Sequence, residues 1–219
     1  MSVFEGMDPT LLTKEQKRSA LRAINLIKEQ RNGVLKGRIV ADGRPERELY
    51  ADENTPSPTV STGALMMSML TDVWEARDVA CADVPGAYLN ANMDRFTLIK
   101  YEGDSVDIMC KINPAWEKLV TIENGKKVLY LRLLKALYGC MRSALLWYEI
   151  FVSTLQKQGF ELNPYDACVA NKMINGKQCT IAWYVDNNKI SHINPAVVTA
   201  VIEHIESKFG KLTVCEVVI

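Results

Sequence analysis

The chain has two histidines among its 219 residues, and its six cysteines (Cys81, Cys110, Cys140, Cys168, Cys179 and Cys215) form no Cys-x-x-Cys pair. These shortages argue against a structural zinc module and a disulfide framework, and they suit thiols kept in a reducing compartment. A run of about 18 apolar residues, the length that spans a bilayer, is missing. Met1 to Thr10 also lacks the basic-then-apolar layout of a secretory leader. The sequence therefore reads as intracellular, cytoplasmic or nuclear, with no membrane partner. Net charge is absent too, with 26 basic against 26 acidic residues, which argues against a uniformly basic nucleic-acid-binding protein. No internal repeat or low-complexity tract interrupts the chain.

What is present is charge in blocks. Lys14 to Arg47 carries ten Lys/Arg against four Asp/Glu, and Lys126 to Leu146 carries five basic residues and no acid. Thr71 to Asp107 reverses the balance, with eight acids and three bases. Basic walls around an acidic centre suit a site that holds cations and grips polyphosphate, although solvated helix faces would give the same pattern. The length and the 48% hydrophobic content are enough for one large or two small domains with a real core.

Local patterns predict alternating helices and strands. Thr13 and Gln16 form a capping box that starts a helix expected to run to about Arg31 and stop at Asn32-Gly33. Val34 to Ala41 reads as a strand, and Gly43 to Pro58 as a loop. From Ser61, Leu65, Met66, Met69, Leu70, Val73 and Trp74 recur at helical spacing, predicting an amphipathic helix that lies against a sheet. Strands follow at Val79 to Val84, Phe96 to Tyr101 and Lys127 to Leu134. A helix runs from Ser143 to Gly159, and a hairpin joins Ala167–Met173 to Cys179–Val185 through Asn175-Gly176. Asn194-Pro195 opens a last helix that Gly210 closes. Tight hairpins among the helices make the expected class α+β with a largely antiparallel sheet.

Two acids stand out because each follows an apolar strand. Asp83 ends the run from Val79, and Asp186 follows Thr180 to Val185, where Asp186-Asn187-Asn188 reads as a hairpin turn. Each acid is either a turn-former or a ligand, and about a hundred residues of sequence separate them. They meet only if their strands are neighbours.

Three stretches together resemble the reverse transcriptases of copia-type (Pseudoviridae-like) LTR retrotransposons. Asp83-Val84-Pro85-Gly86-Ala87-Tyr88-Leu89-Asn90 resembles the first acidic motif of that family, Lys135-Ala136-Leu137-Tyr138-Gly139 its KALYG segment, and Trp183-Tyr184-Val185-Asp186-Asn187 its YVDD hairpin. Lys36 to Ala41 looks like its KARLVAKG strand, and Trp147-Tyr148 follows KALYG as it does there. The likeness runs over roughly Val34 to Gly210. It implies the fingers and palm of a right-hand polymerase, with a ferredoxin-like antiparallel palm sheet backed by helices. It implies a fingers and palm unit over 34–219, preceded by the N-terminal helical segment over 1–33 that the Thr13 capping box predicts.

The implied chemistry is RNA-directed DNA synthesis on an RNA or DNA template with a primer, using deoxynucleoside triphosphates. Two Mg²⁺ ions, with Mn²⁺ as an alternative, would sit roughly 3.5–4 Å apart on hard oxygen ligands. The resemblance assigns metal binding to Asp83, Asp186 and the Val84 carbonyl, and places Asn187 beside them in the catalytic group. Tyr88 would lie under the incoming sugar and reject a ribose 2′-hydroxyl, with a core aromatic as the other reading. Lys36 and Arg38 would meet triphosphate or template phosphates, Tyr138 and Gly139 would line the nucleotide and template side, and Arg142 would add a phosphate contact.

The sequence departs from the family at two points. The second aspartate of YVDD is Asn187, whose amide brings no negative charge to a dication. Met141-Arg142-Ser143-Ala144 replaces the Lys-Gln-Ala-Pro run after KALYG. The chain is expected to stop before a thumb, with weakened activity. A non-catalytic nucleic-acid-binding remnant and an unrelated α+β interaction module are the competing expectations, and the oligomeric state is left open.

Overall fold

A computed structural model describes residues 2–50 and 55–217. In chain order it begins with β1 (Phe4–Gly6), α1 (Lys14–Ser19), β2 (Leu21–Glu29), β3 (Leu35–Ala41) and α2 (Glu46–Leu49). Next come α3 (Thr62–Trp74), β4 (Asp78–Asp83), α4 (Ala87–Asn90), β5 (Leu98–Glu102) and α5 (Asp104–Ile112). A 3₁₀ turn (Pro114–Leu119) leads to β6 (Thr121–Glu123), β7 (Lys126–Leu133) and α6 (Ser143–Lys157). The chain continues through β8 (Glu161–Asn163), β9 (Asp166–Ile174), β10 (Lys177–Tyr184), β11 (Asn187–His192), α7 (Pro195–Phe209) and β12 (Thr213–Val217). Two compact units divide these elements: residues 1–56 with 91–146, and residues 57–90 with 147–219.

The second unit holds a sheet of order β12-β4-β11-β10-β9-β8, antiparallel at every pairing. Taken as β4-α6-β10-β11-α7-β12, it follows the βαββαβ path, and β11 lies between β4 and β10 as a split βαβ unit requires. The expected α+β class and ferredoxin-like antiparallel sheet backed by helices are therefore present. The stripe of α6 (Trp147, Phe151, Leu155) and that of α7 (Val198, Val201, Ile205) share one core with Ile181, Trp183 and Ile190 of the sheet. Each of these side chains is almost fully buried, so burial of apolar area is the main force holding the unit together.

The first unit holds a mixed sheet of order β1-β7-β5-β2-β3, with β6 added to β7. Its parallel contact, β2 with β5, is confined to Leu21↔Ile99 and Arg22↔Lys100. Beyond that point β2 and β3 pair with each other, and most of their residues are exposed.

Three expectations are corrected. The helix starting at Thr13 keeps its capping box, with Thr13 N–H donating to Gln16 Oε1 at 2.9 Å and Gln16 N–H to Thr13 Oγ1 at 3.1 Å, but it ends at Ser19. Leu21–Glu29 is a strand, because Asn32-Gly33 acts as a hairpin turn, with Gly33 at φ 78°, and pairs the segment with β3. The stripe of α3 does not lie on the sheet. Met66, Met67, Met69, Leu70, Val73 and Trp74 are exposed along one arc of the helix, and Trp74 is 90% exposed. The inward side carries Ser68 and Asp72 instead. Asp72, 1% exposed, is ion-paired with Lys189 and lies 4.0 Å from Arg77 Nη1, while Arg77 donates to Thr180 Oγ1 at 3.0 Å. A buried charge cluster sets the orientation of this helix, because Lys189 and Arg77 need a buried carboxylate and the alternative would strand them. Finally, the β10–β11 turn is Val185-Asp186, and Asn187 is already the first residue of β11.

Candidate active site

The turn between β10 and β11 is tight and strained. Tyr184 pairs with Asn187, so two residues make the reversal. The positive φ falls on Val185 (58°) and not on Asp186, the pattern of a type II′ turn, whose first position normally takes glycine. A β-branched residue there costs about 1–3 kcal/mol and persists only when its surroundings over-determine it. Those surroundings are visible. Trp147 Nε1–H donates to the Val185 carbonyl at 2.7 Å, and the Asp186 carbonyl accepts from Val84 N–H at 3.0 Å and from Asn188 Nδ2 at 3.0 Å. Asn188, 2% exposed, also donates to the Ala82 carbonyl at 3.3 Å, tying the turn to the end of β4.

These bonds bring the sequence-predicted acids to one end of one sheet. Asp83 lies directly opposite Asn187, the residue after the turn, so a single inter-strand spacing, about 4.8 Å, separates the β4 backbone from that of β11 at this point. Asp83 and Asp186 are half-buried, Val84 is fully buried and Asn187 is exposed. Asn187 Nδ2 donates to Asp186 Oδ1 at 3.0 Å, which occupies part of that carboxylate's acceptor capacity. Two carboxylates and a nearby main-chain carbonyl are hard oxygen donors, a set that suits Mg²⁺, which typically takes one or two carboxylates and completes its shell with water and phosphate. Among the described residues no group of three or more His, Cys, Asp or Glu is placed to hold a metal ion. Tyr88, on α4, packs half-buried against the core of the same unit.

The remaining predicted residues gather in the first unit. Arg38 Cζ lies 5.9 Å from the centroid of the Tyr138 ring, a cation–π approach. The Tyr138 carbonyl accepts from Ala41 N–H at 2.7 Å, and Gly139, at φ 93°, passes so close to the Ala41 carbonyl that a Cβ would overlap it. That close approach explains the glycine of KALYG in steric terms. Lys36 is exposed and lies directly opposite Lys28, a like-charge pair. Arg142 is engaged within the unit: its Nε is 2.8 Å from Asp94 Oδ2 and its Cζ 5.9 Å from the Tyr50 ring. Glu46, buried, accepts from Met141 N–H at 2.7 Å, and burial pushes its carboxyl above the ordinary range. A cavity of about 400 Å³ in the second unit, lined by Ser61, Met67, Arg77, Asp166 and Thr180 among others, includes none of the predicted site residues in its lining.

A family model described as "Reverse transcriptase (RNA-dependent DNA polymerase)" matches residues 11–217. The chain belongs to the reverse transcriptase family. No curated protein matches its sequence. Among solved structures, this reverse transcriptase chain is similar to the protease-reverse transcriptase of prototype foamy virus (12% identity, TM-score 0.40), over 98% of its own length and 25% of the viral chain. It is also similar to telomerase from Candida albicans in complex with a fragment of telomeric RNA (10% identity, TM-score 0.45), over 99% of its own length and 44% of that chain. It thus spans less than half the length of each. Among the described residues no helix is long and apolar enough to cross a membrane.

Sequence reasoning missed the residues that hold the reverse transcriptase turn in place. The Asp186-Asn187-Asn188 pattern places Asn188 in the turn, yet its position on the same strand face as buried Ile190 marks it as an inward polar residue. Glu46 falls in the segment from Gly43 to Pro58 that the sequence predicts as a loop, where the structure has the short helix α2. Trp147 was legible as a helix-stripe aromatic, but its bond to the Val185 carbonyl has no signature in the pattern.

Proposed function

We propose that this chain is the fingers and palm of a copia-type retrotransposon reverse transcriptase and that it extends a primer on an RNA or DNA template from deoxynucleoside triphosphates. The observation that carries this reading is the pairing of Asp83 with Asn187, which puts Asp83 and Asp186 at the same end of one sheet. Asp83, Asp186 and the Val84 carbonyl are the metal ligands in this reading, for two Mg²⁺ ions or, alternatively, Mn²⁺. Bound there, the cations supply charge neutralisation on the phosphates and acidify the primer 3′-hydroxyl. The chain's own residues orient the ligands: Val84 N–H and Asn188 hold the Asp186 main chain, and Trp147 holds that of Val185.

In the same reading Tyr88 contacts the incoming sugar. Lys36, Arg38, Tyr138, Gly139 and Arg142 form the nucleotide- and template-binding set of the first unit. Lys36 opposite Lys28 supports an anionic partner, since a phosphate backbone relieves the repulsion between two facing ammonium groups.

One observation favours a second reading, a nucleic-acid-binding reverse transcriptase domain without turnover: the Asn187 amide is bonded to Asp186 where the family has a second carboxylate. Primer extension on an RNA template with Mg²⁺ separates the two. Extension that falls at least a thousandfold in Asp186→Ala, about 4 kcal/mol of transition-state stabilisation, supports catalysis. Template binding with no extension in the unaltered chain supports the second reading.

A further inference from the structure

We infer that Cys81 and Cys215 form an oxidisable cross-strand thiol pair, which a low-molecular-weight disulfide such as oxidised glutathione converts into a bond stapling β12 to β4. The two residues are direct partners in the antiparallel register of these strands. Residues directly opposite each other in such a pair have Cα atoms about 4.5 or 5.5 Å apart, depending on their place in the ladder, with side chains on the same face of the sheet. Either spacing lies within the roughly 4.4–6.8 Å that a disulfide spans. Cys81 and Cys215 are exposed residues, whereas Cys110, Cys140, Cys168 and Cys179 are buried. A soluble oxidant therefore reaches this pair and not the others.

Lys189 lies opposite Cys81 on its other side, making a row of Lys189, Cys81 and Cys215 across β11, β4 and β12. The attacking species in such an exchange is the thiolate, so a mildly alkaline medium favours it.

The exchange balances in two displacements. One protein thiolate attacks a glutathione sulfur, the S–S bond of glutathione breaks, and the departing thiolate takes a proton. The second protein thiolate then attacks the protein-side sulfur of the mixed disulfide and expels the second glutathione. Two protein thiols are oxidised, and one small disulfide is reduced to two thiols. The staple has a local consequence whether or not the chain polymerises DNA. β12 is an edge strand held by β4, and Thr213, two residues from Cys215, is the register partner of Asp83.

The test is to incubate the full chain with excess oxidised glutathione at mildly alkaline pH, block free thiols, and map peptides without reduction. The Cys81 peptide is expected linked to the Cys215 peptide, with the four buried cysteines blocked only after denaturation. Cys215→Ser is expected to stop at a glutathione adduct on Cys81. Hydrogen exchange at residues 213–217 should slow at least tenfold in the oxidised unaltered chain and stay unchanged in oxidised Cys215→Ser. Free thiols or two separate glutathione adducts at Cys81 and Cys215, under conditions that fully oxidise a small dithiol, overturn the inference. So does a bond from either residue to another cysteine or to a second chain.

Discussion

The sheet of the second unit is antiparallel throughout and shares one core with α6 and α7, whereas the sheet of the first unit has a two-residue parallel contact and releases β2 and β3 into an exposed hairpin. The polar residues follow the same division. In the second unit Asn188, Asp72, Lys189 and Arg77 are buried and bonded, and those at the β4 end hold a strained turn at a fixed position. In the first unit Lys36 and Arg38 stand in solvent. A carboxylate pair that is to share cations needs a platform that does not yield, because small displacements weaken coordination. Cations that meet a flexible polyanion need reach and charge, and an exposed hairpin supplies both. The two sheets differ in what they keep rigid.

Substitutions at matched positions break or sharpen this contrast. Trp147→Ala removes a buried core aromatic and the donor to the Val185 carbonyl, and should destabilise the second unit by about 3–5 kcal/mol. Leu35→Ala, 68% exposed on the hairpin, should change stability by no more than about 0.5 kcal/mol. Urea unfolding followed by hydrogen exchange, unit by unit, reads both, and equal losses would erase the distinction. Gly139→Ala tests whether the first unit has a rigid point of its own. Its positive φ and the overlap with the Ala41 carbonyl should cost about 2 kcal/mol or more, seen as a lower urea midpoint.

Asn187→Asp sets a carboxylate directly opposite Asp83 and should destabilise the metal-free chain by about 0.5–1 kcal/mol. Added Mg²⁺ should reverse that loss and raise any primer extension. A melting temperature that ignores Mg²⁺ in this variant would count against the proposed ligand set. The smallest effect concerns Glu46. Its carboxyl is raised by burial, so the fold favours the protonated form, and its contribution to stability is full at low pH and declines as pH rises from the unfolded value near 4.5 through the folded one. Glu46→Gln should remove that decline, and denaturant midpoints of the two chains between pH 4 and 7 should diverge as pH increases.

Much of the second unit was legible because its signals are local and agree with one another. Asn175-Gly176 marks a hairpin, Asn194-Pro195 opens α7, Gly210 closes it, and the stripes of α6 and α7 are buried as their spacing predicts. The first unit was read less well where two local signals compete. Thr13 starts a helix, but the same Asn32-Gly33 that would stop it also closes a hairpin, and pairing with β3 decides in favour of the strand. For α3, periodicity gives the width of an apolar stripe but not its direction, and the buried pairing of Asp72 with Lys189 is a contact between residues more than a hundred positions apart. At the candidate site the acids were legible from their motifs. The hydrogen bonds to main-chain carbonyls that hold them were not, because any residue type presents a carbonyl.

The outward face of α3 matters for how the protein behaves on the bench. Three methionines, a leucine, a valine and a tryptophan in one exposed arc make a surface that environment-sensitive dyes bind in the fully folded state, a signal otherwise taken for loosened packing. A dye-monitored melt is expected to begin bright and to change little on unfolding. Near-ultraviolet circular dichroism would meanwhile report intact tertiary structure, and Met67→Lys with Leu70→Lys should restore a dark baseline.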